Sequence, residues 1–271
     1  MQPTTMQPTT SGVHVSDDDF GRLRVWNLSL AALHLVSAVA MVVLSNGFRI
    51  GISSFWLGGP PGTDPTEGTT VVVWEYPLGP AVAAFSFLSA LFHLMVALPP
   101  GLGAYRRELE QGRNRFRWVE YSMSATLMVV IIATITGITE MAALIAIAAA
   151  NVAMILFGWV MEVVNRPGER VWWAPFWFGC VAGAAPGIAI AATIGYNVTS
   201  IEGAEGPPTF VYGILVSIFV LFNSFAINQW LQYRGIGPWR DYLVGERTYM
   251  VLSLVAKTAL AWQIFANVLI E

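Results

Sequence analysis

The stretch YMVLSLVAKTALAWQIFANVL, residues 249–269, is an apolar run of bilayer-crossing length with one cation, Lys257, at its middle. A helix needs roughly 20 apolar residues to span the hydrocarbon core. The same criterion, applied outward from this run, finds six more stretches. The seven spans are expected at approximately 22–46, 76–99, 116–137, 139–163, 171–196, 208–233 and 243–270. Of the 271 residues, 55% are hydrophobic and 11% charged, against about 25% charged in soluble domains. The expected class is therefore an all-α membrane protein, a bundle of seven transmembrane helices.

The linkers carry two further signals. Between the third and fourth spans (Gly137 to Thr139), and between the fourth and fifth (Asn165 to Arg170), they are too short for anything but antiparallel neighbours. The first linker, about 47–75, is different. GISSFWLGGPPGTDP (51–65) is followed by TTVVVWEY (69–76): β-branched and aromatic runs on either side of a Gly/Pro turn predict a short β-hairpin. Its apolar residues Phe55, Trp56 and Val71 to Trp74 are expected to cover the bundle mouth or a neighbouring subunit.

Basic residues set the sidedness. With seven spans, twelve arginines fall on one side (Arg22, Arg24, Arg106, Arg107, Arg113, Arg115, Arg117, Arg166, Arg170, Arg234, Arg240 and Arg247) and Arg49 alone on the other. The acidic linker IEGAEG, with Glu202 and Glu205, shares the side of Arg49. The expected protein is multi-pass in the cell membrane, with a cytoplasmic N-terminus and an extracellular C-terminus. Residues 1–21, with their duplicated MQPTT, are expected to be a mobile cytoplasmic tail rather than a signal peptide, since no apolar run precedes Phe20. Residues 22–271 form the helical domain. Cys180 is the single cysteine, so no disulfide framework exists within one chain.

Lys257 is the only lysine in the chain. A charge at mid-bilayer costs about 2.5–3.5 kcal/mol on insertion scales, so it must face the interior of the bundle. Snorkelling is out of reach, because about 13 residues of helix, some 20 Å, lie on either side. A desolvated lysine is a nucleophile for an aldehyde, and the resulting cation needs an anion. In WVEYSMSATLMVVIIATITG (118–137) the third span holds one carboxylate, Glu120. The plainer reading of Glu120 is a helix-start acid favoured by the macrodipole. Ser253 is four residues before Lys257 and Ser124 four after Glu120, each on its partner's face. Both could equally be small residues at helix contacts.

A seven-helix bundle with a lysine in mid-span of the last helix resembles the microbial rhodopsins, and the details resemble the heliorhodopsins. The resemblance rests on the inward N-terminus, the S-x-x-x-K of Ser253 and Lys257, and Glu120 on the third helix; it covers roughly residues 20–270. It implies all-trans retinal bound to Lys257 as a protonated Schiff base, with Glu120 as counterion. His34 and His93, in LAALHLVSAVA and LSALFHLMVAL, resemble the family's histidine pair in a proton-accepting network. Helix–helix hydrogen bonding is the plain alternative for both. Asn151, Met154, Phe222 and Trp262 resemble chromophore-pocket positions; Trp172, Trp173 and Trp177 read better as an interfacial belt.

The implied function is a light-sensing photoreceptor acting in sensory transduction without ion pumping. Eleven residues beyond Glu120 the sequence has Ile131, and no acid lies between Ala125 and Ile135, so a second carboxylate for a pump is missing. A light-driven or light-gated proton transporter is the alternative. An enzyme is not expected, because no nucleophile–base pair, phosphate loop or metal cluster is visible. The expected partners are the lipid bilayer, a second copy in a homodimer, and a cytoplasmic signalling protein; nucleic acid is not among them. The arginines from Arg106 to Arg117 are read as topology-setting charge in contact with anionic lipid.

Overall fold

A computed structural model describes residues 12–200 and 206–270. Its helices are α1 (Asp17–Leu44), α2 (Leu78–Ala97), α3 (Gly101–Glu110), α4 (Arg115–Ile135), α5 (Met141–Val164), α6 (Ala174–Ser200), α7 (Thr209–Arg234) and α8 (Tyr242–Ile264), the last running into a π-helical turn at Phe265–Leu269. Seven of them, all but α3, are long and apolar enough to cross a membrane. Two strands, β1 (Arg49–Trp56) and β2 (Thr69–Pro77), pair antiparallel with a bulge at Ile52/Ser53.

Polar caps fix where the helices start. Ser16 Oγ accepts from the Asp19 amide, Asn114 from Arg117, Glu140 from Ala143 and Asp241 from Leu243, each satisfying an N–H that the first turn leaves open. At the other end of α7, Gly235 takes φ 60°, a left-handed closure open to glycine at no steric cost. Pro186 sits inside α6, where it removes one ladder hydrogen bond.

The helices pack in chain order, α1 on α2, α2 on α4, α4 on α5 and α5 on α6, with α7 on α8 and α8 back against α1. The backbones of α6 and α7 scarcely touch. Apolar side chains point both ways. Val36, Val43, Ile145, Val181, Ile188 and Phe219 are exposed, as lipid-facing residues of a membrane bundle are. The largest core cluster, including Met41, Phe85, Met128, Ile131, Ile132, Leu260 and Ile264, fills the half of the bundle nearest the hairpin.

Several expectations need adjustment. The first helix begins at Asp17, so residues 17–21 belong to it rather than to a tail. Val13 N donates to Glu110 O at 2.9 Å and Val15 is buried, so the segment just before the helix is docked on α3. The MQPTT repeat, Glu202, Glu205 and Glu271 lie outside the described residues. α3 had no forecast. It forms in the second linker because Tyr105, Glu108 and Leu109 fall on one buried face. In the hairpin, Ile50, Ile52 and Tyr76 insert into the core, whereas Trp56 and Trp74 remain 73% and 64% exposed.

Candidate functional site

α4 and α8 carry the centre of the site. Lys257 on α8 is 3% exposed and Glu120 on α4 is 5% exposed. Lys257 Nζ donates to Glu120 Oε1 at 2.8 Å and to Ser253 Oγ at 2.7 Å. From α2, Ser89 Oγ donates to the same carboxylate oxygen at 2.6 Å. The Tyr121 ring lies 5.2 Å from the ammonium, and its hydroxyl donates to Tyr249 O. A buried pair of charges survives desolvation only when further hydrogen bonds complete it; Ser89 and Ser253 provide them. Ser124 is fully buried on the Glu120 face, but its hydroxyl finds no partner among the described residues.

The two histidines come together. His34 on α1 and His93 on α2 stack with ring centroids 5.7 Å apart and planes 12° from parallel. His93 Nδ1 and Asn27 Oδ1 are 2.7 Å apart, while His34 Nε2 is without a partner among the described residues. Asn27 and Ser89 did not stand out in the sequence, since a lone Asn or Ser in an apolar span looks like any small helix-contact residue.

Lys257 Nζ reaches an apolar cavity of about 140 Å³. Trp118, Tyr121 and Met128 of α4 form one wall and Met154, Ile155 and Gly158 of α5 the next. Phe176, Gly179 and Cys180 of α6 face Phe222, Phe225 and Gln229 of α7 across it. Glycine matters on the α5 wall, where a Cβ at Gly158 would run into the Trp118 ring. The cavity thus joins a space lined by aromatic and apolar side chains to one primary amine, the combination that an apolar, aldehyde-bearing group needs. Met154, Phe222 and Ser253 are among its lining residues. Asn151 is not; it is buried beside the cavity and donates to Thr126 Oγ1 at 2.9 Å. Trp262 is a correction. It is 39% exposed, stacked edge-on to Phe265 and turned away from the cavity, because five residues past Lys257 a helix has advanced about 140° beyond a full turn.

A second, polar cavity of about 40 Å³ lies on the other side of Glu120. Ser89, His93 and Asn27 border it at one end, Arg117 and Glu246 at the other. Its volume exceeds the roughly 10–15 Å³ that one water needs. Arg117 had been counted as a loop cation. Instead it is buried between Glu162 of α5 and Glu246 of α8, ion-paired to both, with its guanidinium 4.0 Å from the Tyr249 ring. Asn114 Nδ2 donates to Glu246 at 2.6 Å and Trp118 Nε1 to Glu162 at 2.6 Å. Acids inside the ends of two spans, Glu162 and Glu246, were the signal available for this cluster.

The fold is that of the seven-helix rhodopsins. The transmembrane domain of the Salpingoeca rosetta rhodopsin phosphodiesterase matches with a TM-score of 0.64 at 11% identity, over 92% of this chain and 85% of that one. The light-driven proton pump LR (Mac) from Leptosphaeria maculans matches with a TM-score of 0.62 at 13% identity, over 94% and 96%. The thermophilic rhodopsin from Rubrobacter xylanophilus gives 0.53 at 15% identity, over 90% and 95%. At such identities the likeness is one of fold. No curated protein matches. The heliorhodopsin family model matches residues 23–269, and the chain belongs to that family. It is accordingly a multi-pass membrane protein of the retinal photoreceptor type. The family is generally non-enzymatic, and the likeness to the phosphodiesterase is confined to that enzyme's transmembrane domain.

Proposed function

We propose that the chain is a light sensor that binds all-trans retinal on Lys257 and does not pump ions. The observation that carries this reading is the position of the one lysine, lining an aromatic cavity and bonded to a buried carboxylate. When bound, retinal supplies absorption of visible light and a double bond that isomerises on excitation.

The chain's own groups do the rest. Lys257 Nζ is the point of attachment through a protonated Schiff base. Glu120 compensates its positive charge, and Ser89 and Ser253 hold that carboxylate and that nitrogen in register. The aromatic wall keeps water from the apolar cavity and restricts its shape. Glu120 and His93 at the polar cavity, with His34 stacked on His93, are the groups that take and return a proton; Asn27 Oδ1 accepts from His93 Nδ1, which leaves His93 Nε2 and His34 Nε2 as the proton-accepting ring nitrogens. On the hairpin side the core around Met128, Ile131, Ile132, Leu260 and Ile264 is apolar apart from hydroxyls such as the Tyr76–Thr134 pair, and this core cluster holds no carboxylate or imidazole to carry a proton. Moving one charge against 100 mV takes about 2.3 kcal/mol and a continuous path on both sides. Half of such a path supports sensing over transport.

The arginine-rich end is assigned to the cytoplasm by the charge bias, and a homodimer and a cytoplasmic signalling partner complete the proposal. The test is to add all-trans retinal to the purified protein beside Lys257→Ala. A visible band that needs Lys257 and is bleached by hydroxylamine supports the pigment. Illuminated vesicles should then show no sustained pH change. A band that forms equally in Lys257→Ala would overturn the attachment, and a steady photocurrent would overturn the sensor reading in favour of a transporter.

A further inference from the structure

The α5–α6 connection and the end of α7 meet in a corner that neither the apolar nor the polar cavity uses. Arg234, at the last turn of α7, lays its guanidinium over two indoles, 5.1 Å from the Trp173 centroid and 5.8 Å from that of Trp230. Tyr233 Oη donates to Met161 O at 3.2 Å and ties α7 to the end of α5. The connection itself is closed by Trp172 N donating to Asn165 Oδ1 at 2.6 Å, with Asn165 Nδ2 returning to Trp172 O. Arg166 directly follows Asn165 and so lies next to the residue that bonds Trp172. Arg170 is three residues from Trp173, so within about 10 Å by chain length.

Arg166, Arg170 and Arg234 all belong to this corner and are exposed, and none has an ion pair among the described residues. Glu169 is the one acid in the connection. Most other arginines at this end are engaged: Arg106 with Asp17 and Glu110, Arg113 and Arg115 with Glu108, Arg247 with Asp19, and Arg24 with Ala97 O. Trp172 and Trp177, 58% and 59% exposed, flank the corner where the spans leave the hydrocarbon, the depth at which tryptophan settles. A guanidinium stacked on aromatic faces keeps its N–H edges free and planar, the arrangement that chelates phosphate oxygens.

We propose that this corner is a binding site for the phosphate headgroup of an anionic phospholipid, with Arg234 and Arg170 holding the phosphate and the tryptophans the glycerol region. The site differs from a diffuse basic rim in having a fixed cation, pinned by two rings, at its centre.

The experiment uses the full chain in a neutral detergent. Dioleoylphosphatidylglycerol and dioleoylphosphatidylcholine are titrated separately, and the retained lipid is counted by native mass spectrometry. Each arginine near a membrane surface contributes about a factor of five, so Arg170→Gln/Arg234→Gln should weaken phosphatidylglycerol retention by about 30-fold. Phosphatidylcholine retention should be unchanged. The control Arg22→Gln/Arg107→Gln removes the same charge elsewhere and should shift retention little. Arg170→Gln alone removes no packing and guards against a folding artefact; it should lose about a factor of five. Equal loss in the control pair would overturn the proposal, since charge alone would then explain binding. Displacement of the lipid by millimolar inorganic phosphate would overturn it too, because the site would then take the free anion.

Discussion

Arg117 and Glu120 stand one turn apart on α4, and each is ion-paired to α8, Arg117 to Glu246 and Glu120 to Lys257. Two pairs of opposite polarity therefore pin the same two helices, with the polar cavity between them.

Glu120→Gln would leave the Lys257 ammonium buried without an anion. Breaking a buried pair by removing one partner costs about 3–5 kcal/mol, so thermal unfolding of the retinal-free protein should fall sharply. Lys257→Met/Glu120→Gln, which removes both charges, should recover most of the loss. Additive losses in the double variant would show that the two residues do not depend on each other.

Arg117→Gln should be at least as damaging, because it strands two carboxylates, Glu162 and Glu246. Arg117→Lys should recover little, as an ammonium cannot reach both acids in the plane of a guanidinium. Urea or heat unfolding followed by tryptophan fluorescence measures both; full stability in Arg117→Lys would contradict the bidentate arrangement.

Gly158→Ala should obstruct the apolar cavity. The added methyl meets the Trp118 ring, and overpacking of this kind costs about 1–3 kcal/mol. The expected result is slower and less complete pigment formation with a shifted band. Regeneration at the parental rate and wavelength would mean that this wall does not contact the chromophore.

His93→Ala should leave the dark absorption band in place and slow its recovery after a flash by on the order of 10²-fold, the usual contribution of one positioned proton carrier. Unchanged recovery in both His93→Ala and His34→Ala would remove the histidines from the proton network.

Much of this was legible before any coordinates. Span number and rough limits follow from hydropathy, and the hairpin from its β-branched runs. Lys257 and Glu120 stand out because a charged residue in hydrocarbon is costly and so rare; Ser253 stands out only by its place four residues before Lys257, and the two histidines chiefly through the family resemblance. What stayed hidden depended on rotation and tertiary contact. Trp262 is turned from the cavity by the helical rotation between positions 257 and 262, which the family resemblance alone did not convey. Arg117 was indistinguishable from loop arginines until α5 and α8 brought Glu162 and Glu246 to it. Ser89 acquires meaning only from the 2.6 Å contact with Glu120 on another helix. α3 is too short and too charged to register as a span, and its buried face exists only against α1, α2 and α8.

The apolar half of the bundle beside the hairpin makes the interior a cul-de-sac. On the proposed sensor reading, a proton displaced from Lys257 would have one open door and would have to come back through it to reset the site. Each such cycle would be electrically silent overall, and the absorbed photon would be spent as a change of shape lasting as long as the proton stays away. For such a molecule the clock, rather than the current, is the quantity that selection can adjust.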